Sequence, residues 1–160
     1  MTERTGPALV VTAHGGREVL TVEDRASPPP GPGQALVEVA AAGVNFIDVY
    51  QRTGTYPGPT PFVAGNEGAG VVLAVGEGVG GLVEGDRVAW PQGRGSAARY
   101  AVVPASTVVV VPETVDLETA AAVMLQGLTA HYLTTSTYAV RPGDVALVHA
   151  AAGGVGQLLV

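Results

Sequence analysis

The chain has 160 residues, a net charge of -6 at pH 7 and no cysteine. Its length suffices for one domain with a hydrophobic core, and 47% apolar with 14% charged residues is typical of a globular protein. Eight Lys and Arg residues do not supply the basic surface that binding along a nucleic acid requires. The lack of cysteine excludes disulfides, thiolate metal ligands and a cysteine nucleophile.

The N-terminal segment MTERTGPALV has no basic region followed by a long apolar run, so no signal peptide is predicted. The apolar stretches elsewhere are too short to span a bilayer. We therefore expect a cytoplasmic protein without a membrane partner.

Residues 1–115 are predicted to form a domain of short strands. A strand at 7–12 and its partner at 18–22 flank the turn His14-Gly15-Gly16. Residues 34–40 alternate polar and apolar side chains, as a half-buried strand does, and residues 45–52 have helical spacing. Further strands are predicted at 65–75, 85–90, 98–103 and 107–111. Several short strands with 23 glycines and 12 prolines in the chain indicate a small barrel or sandwich.

The pattern changes over residues 116–160. Asp116 is a predicted N-cap for a helix over residues 117–133. Residues 145–149 form a continuous apolar run, typical of a strand buried in a parallel sheet. This run leads directly into a glycine-rich turn and the start of another helix.

The glycine-rich turn has the spacing of a dinucleotide-binding motif. Ala151, Gly153 and Gly156 stand at positions i, i+2 and i+5, where small residues permit a tight turn, close approach of a pyrophosphate and close packing of helix on strand. The N–H groups of the new helix can then bind the anion. The alternative is a turn that only lets a helix pack on a strand, but the preceding apolar run and following helix favour nucleotide binding.

Four blocks resemble the zinc-independent quinone oxidoreductases of the medium-chain dehydrogenase/reductase superfamily. They are GVNFIDVYQRTGTYP at 43–57, GNEGAGVVLAVGEGV at 65–79, MLQGLTAHYL at 124–133 and HAAAGGVGQ at 149–157. The resemblance implies a mostly β, GroES-like barrel domain followed by the first strand and helix start of an α/β Rossmann domain. It also implies hydride transfer from NADPH to quinones or other conjugated carbonyls.

The resemblance also assigns roles to individual residues. It favours a catalytic role for Asn45, whose amide would bond a nicotinamide carboxamide or a substrate carbonyl. Tyr50, five residues later, is the second candidate catalytic residue; it would stack near the nicotinamide or donate a hydrogen bond or a proton to the reduced quinone oxygen. The alternatives are a helix cap for Asn45 and a core aromatic for Tyr50. Thr129 and, less directly, Gln126 would lie beside the nicotinamide. Cofactor binding is thus expected at Asn45, Gln126, Thr129, Ala151, Ala152, Gly153, Gly154, Val155 and Gly156.

No metal site is expected. Where related zinc enzymes have a Cys and a His-Glu pair, this chain has Asn45 and Asn66-Glu67, and neutral amides are poor substitutes for the thiolate and imidazole ligands of zinc. His14, His131 and His149 are scattered. Asp48, Arg52 and Glu67 are interpreted as charged residues whose ion pairs shape the cleft.

Two alternatives to a quinone reductase stay open: an enoyl or alkenal reductase of the same superfamily, and a non-catalytic GroES-like fragment or binding module. A single Rossmann strand cannot build a parallel sheet. The chain is then a fragment of a longer protein, is completed by another chain, or is inactive. We expect the first, and expect that these 160 residues do not turn over NADPH alone. The resemblance implies a homodimer for the full-length protein.

Overall fold

The computed structural model describes residues 3–160, and these form eight strands and three α-helices. The strands are β1 (Arg4–Val11), β2 (Leu20–Ser27), β3 (Gln34–Ala42), β4 (Phe62–Val63), β5 (Gly68–Val75), β6 (Arg87–Trp90), β7 (Tyr100–Pro104) and β8 (Val109–Val110). The helices are α1 (Phe46–Thr53), α2 (Leu117–Tyr132) and α3 (Gly154–Leu159), and a π-helical turn at Leu133–Thr137 extends α2. No helix in this described part is long and apolar enough to cross a membrane.

The strands form two antiparallel sheets, in the orders β2-β1-β4 and β7-β3-β5-β6-β8. The sheets meet where Leu9 N–H donates to the Ala97 carbonyl and Arg99 N–H donates to the Pro7 carbonyl, each at 2.8 Å. The mostly β prediction is confirmed, but the sheets do not close into a barrel. Within residues 3–160, β2 pairs only with β1 and β8 pairs only with β6, so an open edge remains on each sheet.

The main core lies on one face of the larger sheet. Trp90 is fully buried there, and its indole N–H donates to Ser96 Oγ at 2.8 Å, while Ser96 donates to the Gly93 carbonyl at 2.6 Å. The apolar residues of this core are Ala35, Val37, Val72, Leu82, Val88, Trp90, Ala101 and Val103.

Helix α2 packs on the sheet through small side chains. Ala120 and Ala121 of the helix meet Ala69 of β5 and Ala89 of β6 in a second buried cluster, and small residues on both sides bring the helix axis close to the strands. The predicted N-cap is confirmed, since Thr119 N–H donates to the Asp116 carboxylate at 2.7 Å. Helix α2 thus packs on the larger sheet and also contacts α3, which follows the glycine-rich turn.

The segment 145–149, predicted to be a buried strand, is exposed and unpaired. Val145 and Leu147 are 99% and 84% exposed, and no strand is assigned there. The reason is physical: a parallel strand needs hydrogen-bonding neighbours and a cover for its side chains, and within residues 3–160 neither is at hand.

Candidate active site

Asn45 stands at the junction of β3 and α1, immediately before the first helical residue. It is the N-cap of α1, and Asp48 N–H donates to its backbone carbonyl at 3.0 Å. In the reverse direction, the Asp48 carboxylate accepts from Asn45 N–H at 2.8 Å. The Asn45 carboxamide also has two partners outside α1.

Those partners are Glu67 and Gln126. Asn45 Nδ2 donates to Glu67 Oε1 at 2.6 Å, and Gln126 Nε2 donates to Asn45 Oδ1 at 3.2 Å. Glu67 is fully buried, and its second oxygen, Oε2, accepts the backbone N–H of Leu125 in α2 at 2.6 Å. One carboxylate thus joins the start of α1 to the middle of α2.

Gln126 also connects this cluster to the glycine-rich turn. A Cβ at Gly154 would collide with the Gln126 carboxamide, so the side chain lies directly against the first residue of α3. The structure therefore brings Asn45, Gln126 and Gly154 together. Asn45 and Gln126 are 81 positions apart in the sequence, and Gln126 and Gly154 are 28 positions apart. Thr129, one turn further along α2, is half-buried, and its hydroxyl donates to the Leu125 carbonyl at 2.6 Å.

Ala151, Ala152 and Gly153 are exposed at the glycine-rich turn, and Val155 is half-buried. Gly156 is buried, and a Cβ there would collide with the Ala150 carbonyl and the Ala151 backbone. Helix α3 consequently starts in close contact with the turn that precedes it. The first three N–H groups of any α-helix have no acceptor within the helix, and here they belong to Gly154, Val155 and Gly156.

Tyr50 lies apart from the amide cluster. Its ring, 37% exposed, packs edge-on against Phe46 with centroids 5.1 Å apart, and against Tyr56 at 5.2 Å. These three rings form a partly exposed aromatic surface on α1 and the loop after it. The contacts thus place Tyr50 neither in the apolar core nor in hydrogen-bonding contact with Asn45.

The expectation of ion pairs among Asp48, Arg52 and Glu67 is wrong. The ion pairs within residues 3–160 are Arg25–Glu23 at 2.8 Å and Arg99–Glu38 at 3.3 Å. Arg52 instead donates to the Gly15 carbonyl at 2.9 Å, whereas Asp48 and Glu67 accept from amide and backbone N–H groups.

Asn66 and Gln51, to which the sequence analysis assigned no role in the site, form a hydrogen-bond network with Asp48 beside the amide cluster. Asn66 Nδ2 donates to Asp48 Oδ1 at 2.6 Å, and Asn66 and Gln51 bond each other through their side chains. The only available signal was the position of Asn66 beside Glu67 in the block at 65–79. Their bonds hold α1 against the approach to β5, and so support Asn45 indirectly.

Two cavities adjoin α1. One, of about 520 Å³, is lined by residues of α1, α2 and the loop at 91–94, including Ile47, Asn66 and Leu125. The other, of about 400 Å³, lies between the end of β2 and the loop at 56–63. Gln51 and Arg94 line both cavities, so the two share a wall next to Asn66.

No group of three His, Cys, Asp or Glu side chains that could hold a metal ion occurs in the described part of the chain. The three histidines lie apart from the cluster. His14 Nε2 bonds the Gly58 carbonyl at 3.0 Å, and His131 and His149 are exposed.

Comparison with known proteins shows the family. Residues 31–113 match the alcohol dehydrogenase GroES-like domain. The chain is 45% identical over 150 residues to a probable quinone oxidoreductase of Schizosaccharomyces pombe, covering 93% of this chain and 46% of the relative. It is 48% identical over 146 residues to a quinone oxidoreductase of Pseudomonas aeruginosa, covering 90% and 45%.

Solved structures give the same result. A mycobacterial protein complexed with NADPH superimposes with a TM-score of 0.93 at 47% identity, over 96% of this chain and 48% of that one. Escherichia coli quinone oxidoreductase complexed with NADPH gives a TM-score of 0.92 at 39% identity, over 98% and 48%. The chain spans about half the length of the curated relatives it matches. It belongs to the alcohol dehydrogenase GroES-like domain family and, within the medium-chain dehydrogenase/reductase superfamily, groups with the quinone oxidoreductases.

Proposed function

We propose that this chain supplies the substrate-facing domain and the start of the cofactor-binding domain of an NADPH-dependent quinone oxidoreductase. The observation that carries the proposal is the position of Gln126, whose side chain bonds Asn45 and lies against Gly154. It joins the amide at the start of α1 to the turn with dinucleotide spacing. The similarity to enzymes named quinone oxidoreductases and to structures complexed with NADPH supports it.

The turn at 151–156 fits a pyrophosphate. Its exposed residues Ala151, Ala152 and Gly153 are small, so an anion can reach the backbone. The N–H groups of Gly154, Val155 and Gly156 would donate to it. No side chain of the turn is large enough to block this approach.

The amide cluster fits a nicotinamide carboxamide. Asn45 Oδ1 accepts one bond from Gln126, and a carbonyl oxygen can accept a second. One of the two Asn45 Nδ2 hydrogens is bonded to Glu67, which leaves the other for a substrate oxygen. Thr129 lies on the same face of α2 as Gln126, three residues on, and its hydroxyl oxygen can accept a further bond.

When bound, NADPH supplies the hydride, and the protein provides position, exclusion of water and hydrogen bonds to the developing oxyanion. In this proposal Asn45 bonds the substrate or nicotinamide, while the exposed ring of Tyr50 stacks or donates a proton to the reduced oxygen. In this proposal the reaction uses no metal; the side chains of Asn45 and Asn66, which bond carboxylate and amide partners, are neutral amides and poor ligands for zinc. A cytoplasmic location and a homodimer belong to the same proposal.

The test is NADPH oxidation by the full-length protein with a soluble benzoquinone, before and after treatment with a metal chelator. We expect turnover that the chelator does not change, and at least about a tenfold lower kcat/KM in Asn45→Ala, since the lost hydrogen bond involves a charged network. Glu38→Gln, at an exposed ion pair of β3, is the matched control and should keep wild-type activity. Absence of turnover with any quinone would refute the proposal.

A second candidate is reduction of an anionic enoyl substrate, favoured by the charge of the cavity of about 400 Å³. Its lining contains Arg25, Arg94 and His14 and no Asp or Glu, in a chain whose net charge is -6. Arg25 is paired with Glu23, so Arg94, on the wall shared by both cavities, is the main cation. Substrate-profile kinetics with a neutral quinone and an enoyl carboxylate separate the two functions: in the second, Arg94→Gln raises KM for the carboxylate alone.

A further inference from the structure

Glu67 is the most completely buried charged side chain near the amide cluster. Its side chain is fully inaccessible, and its carboxylate oxygens accept from Asn45 Nδ2 and from Leu125 N–H, each at 2.6 Å. No cation lies within ion-pairing distance of it in the described part of the chain. Burying a carboxylate with neutral donors alone is costly, so a role beyond filling space is indicated.

The surrounding backbone makes room for this carboxylate. A Cβ at Gly43 would collide with the Glu67 side chain, and Gly43 N–H donates to the Glu67 backbone carbonyl at 3.2 Å. Gly43, which follows β3 and stands two residues before Asn45, therefore makes room for the Glu67 side chain. An apolar side chain at position 67 would not need the N–H donors of Asn45 and Leu125.

The bonds of Glu67 form a closed ring. One carboxylate oxygen bonds the Asn45 side chain and the other bonds the Leu125 backbone; the next residue, Gln126, bonds back to Asn45. A carboxylate offers acceptors only. The Asn45 carboxamide must therefore turn its nitrogen toward Glu67 and its oxygen toward Gln126.

We propose that Glu67 is a positioning residue that fixes the orientation of the Asn45 carboxamide and, through Leu125, the place of Gln126. It presents Asn45 Oδ1 as an acceptor on the side that faces the glycine-rich turn. Only the identity of the ligand that Asn45 Oδ1 would bond rests on the proposed function. The orientation itself follows from the ring of hydrogen bonds.

The test is the Glu67→Gln variant of the full-length protein. The measurement is a ¹⁵N correlation spectrum that records the side-chain NH₂ resonances of Asn45. These resonances are assigned by their loss in Asn45→Ala. A glutamine has nearly the same shape but can also donate, so it no longer dictates which end of the Asn45 amide faces it. We expect the hydrogen-bonded Asn45 proton to lie downfield in the wild type and to move upfield in Glu67→Gln. Glu38→Gln, at the exposed Arg99 pair, should leave both resonances unchanged; unchanged Asn45 resonances in Glu67→Gln would overturn the proposal.

Should Glu67→Gln fail to fold, the wild-type protein alone decides the matter. Strong cross-relaxation is expected between the Asn45 NH₂ protons and the Glu67 γ-protons. If the Asn45 NH₂ protons instead show cross-relaxation only to the Gln126 γ-protons, the proposal is overturned.

NADPH titration by cofactor fluorescence separates this proposal from the proposed function. If Glu67 positions a cofactor contact, Glu67→Gln weakens NADPH binding about tenfold, because the nicotinamide loses one correctly oriented hydrogen bond to Asn45. If the Asn45 resonances move but neither Glu67→Gln nor Asn45→Ala changes NADPH affinity, the positioning role stands and the cofactor role of Asn45 is refuted.

Discussion

Asn66 and Gln51 exchange two side-chain hydrogen bonds: Gln51 Nε2 donates to Asn66 Oδ1 at 3.2 Å, and Asn66 Nδ2 donates to Gln51 Oε1 at 3.0 Å. Asn66 also donates to Asp48 at 2.6 Å and is 9% exposed. This pair fixes α1 to the segment that enters β5. The orientation of α1, which begins just after Asn45, therefore depends on the bonds of Asn66 to Gln51 and Asp48.

Asn66→Ala is expected to lower the free energy of unfolding by about 1–3 kcal/mol, because the Gln51 carboxamide and the Asp48 carboxylate lose their hydrogen bonds to Asn66 in a partly buried site. Urea denaturation of the full-length protein measures this change. Gln92→Ala, at an exposed amide, is the control and should fall within about 0.5 kcal/mol of wild type. Equal stabilities for the two variants would contradict the role of the Asn66–Gln51 pair.

Ser96→Ala removes the acceptor for the fully buried Trp90 indole. An unsatisfied buried donor costs about 1–3 kcal/mol, so the denaturation midpoint should fall. Because Trp90 is the one tryptophan of these 160 residues, its emission reports the change directly if no other tryptophan occurs in the full-length protein. Ser136→Ala, at an exposed hydroxyl, should alter neither signal, and an unshifted midpoint in Ser96→Ala would rule out this contribution.

Gly156→Ala forces a Cβ against the Ala150 carbonyl and the Ala151 backbone, which must move α3 away from its turn. Overpacking of this kind costs about 1–3 kcal/mol, and NADPH affinity, measured by cofactor fluorescence, should drop by about tenfold or more. Gly127→Ala is the matched control: its Cβ would meet only Val123 at 3.7 Å, and alanine stabilises a helix interior by about 1 kcal/mol relative to glycine. Wild-type NADPH affinity in Gly156→Ala would argue against a pyrophosphate at this turn.

The stability of α2 should depend on acid pH through its cap. Hydrogen bonds from the Thr119 backbone and hydroxyl to the Asp116 carboxylate hold the pKa of Asp116 below its ordinary value. Because the folded-state pKa is the lower one, the stabilisation is present above the ordinary aspartate pKa and disappears as pH falls through the lowered value.

Asp116→Asn keeps a capping side chain but cannot titrate, so its melting temperature should change less than that of the wild type as pH falls through this range. Asp116→Ala should be less stable than wild type at neutral pH. Thermal melts at a series of pH values check both expectations, and parallel curves for Asp116→Asn and wild type would exclude the carboxylate as the source of the acid sensitivity.

Local patterns in the sequence predicted most of the strands and the helix that precede residue 116. The alternation at 34–40 corresponds to β3, and the helical spacing after Asn45 corresponds to α1, because both depend on the period of nearby side chains. β4, with two residues, is too short to show a period. The open arrangement of the sheets was not predictable, since whether outer strands meet depends on long-range geometry.

The candidate site was predicted less completely than the fold. The family resemblance picked out Asn45, Gln126 and the turn at 151–156, but not how they meet, because the contacts join residues 22 and 81 positions apart. Glu67 was interpreted as an ion-pair residue, since sequence shows charge but not burial. The strand predicted at 145–149 was inferred from apolar side chains alone, and such side chains become buried only when neighbours are present.

The run at 145–148 has a consequence for handling the protein. Val145 and Leu147 are almost fully solvent-exposed, and the run carries no charge and no proline. An uncharged, β-branched segment with unsatisfied edges readily recruits other chains into intermolecular sheets. A preparation of these 160 residues alone would consequently lose solubility as its concentration rises, and Leu147→Lys would slow that loss.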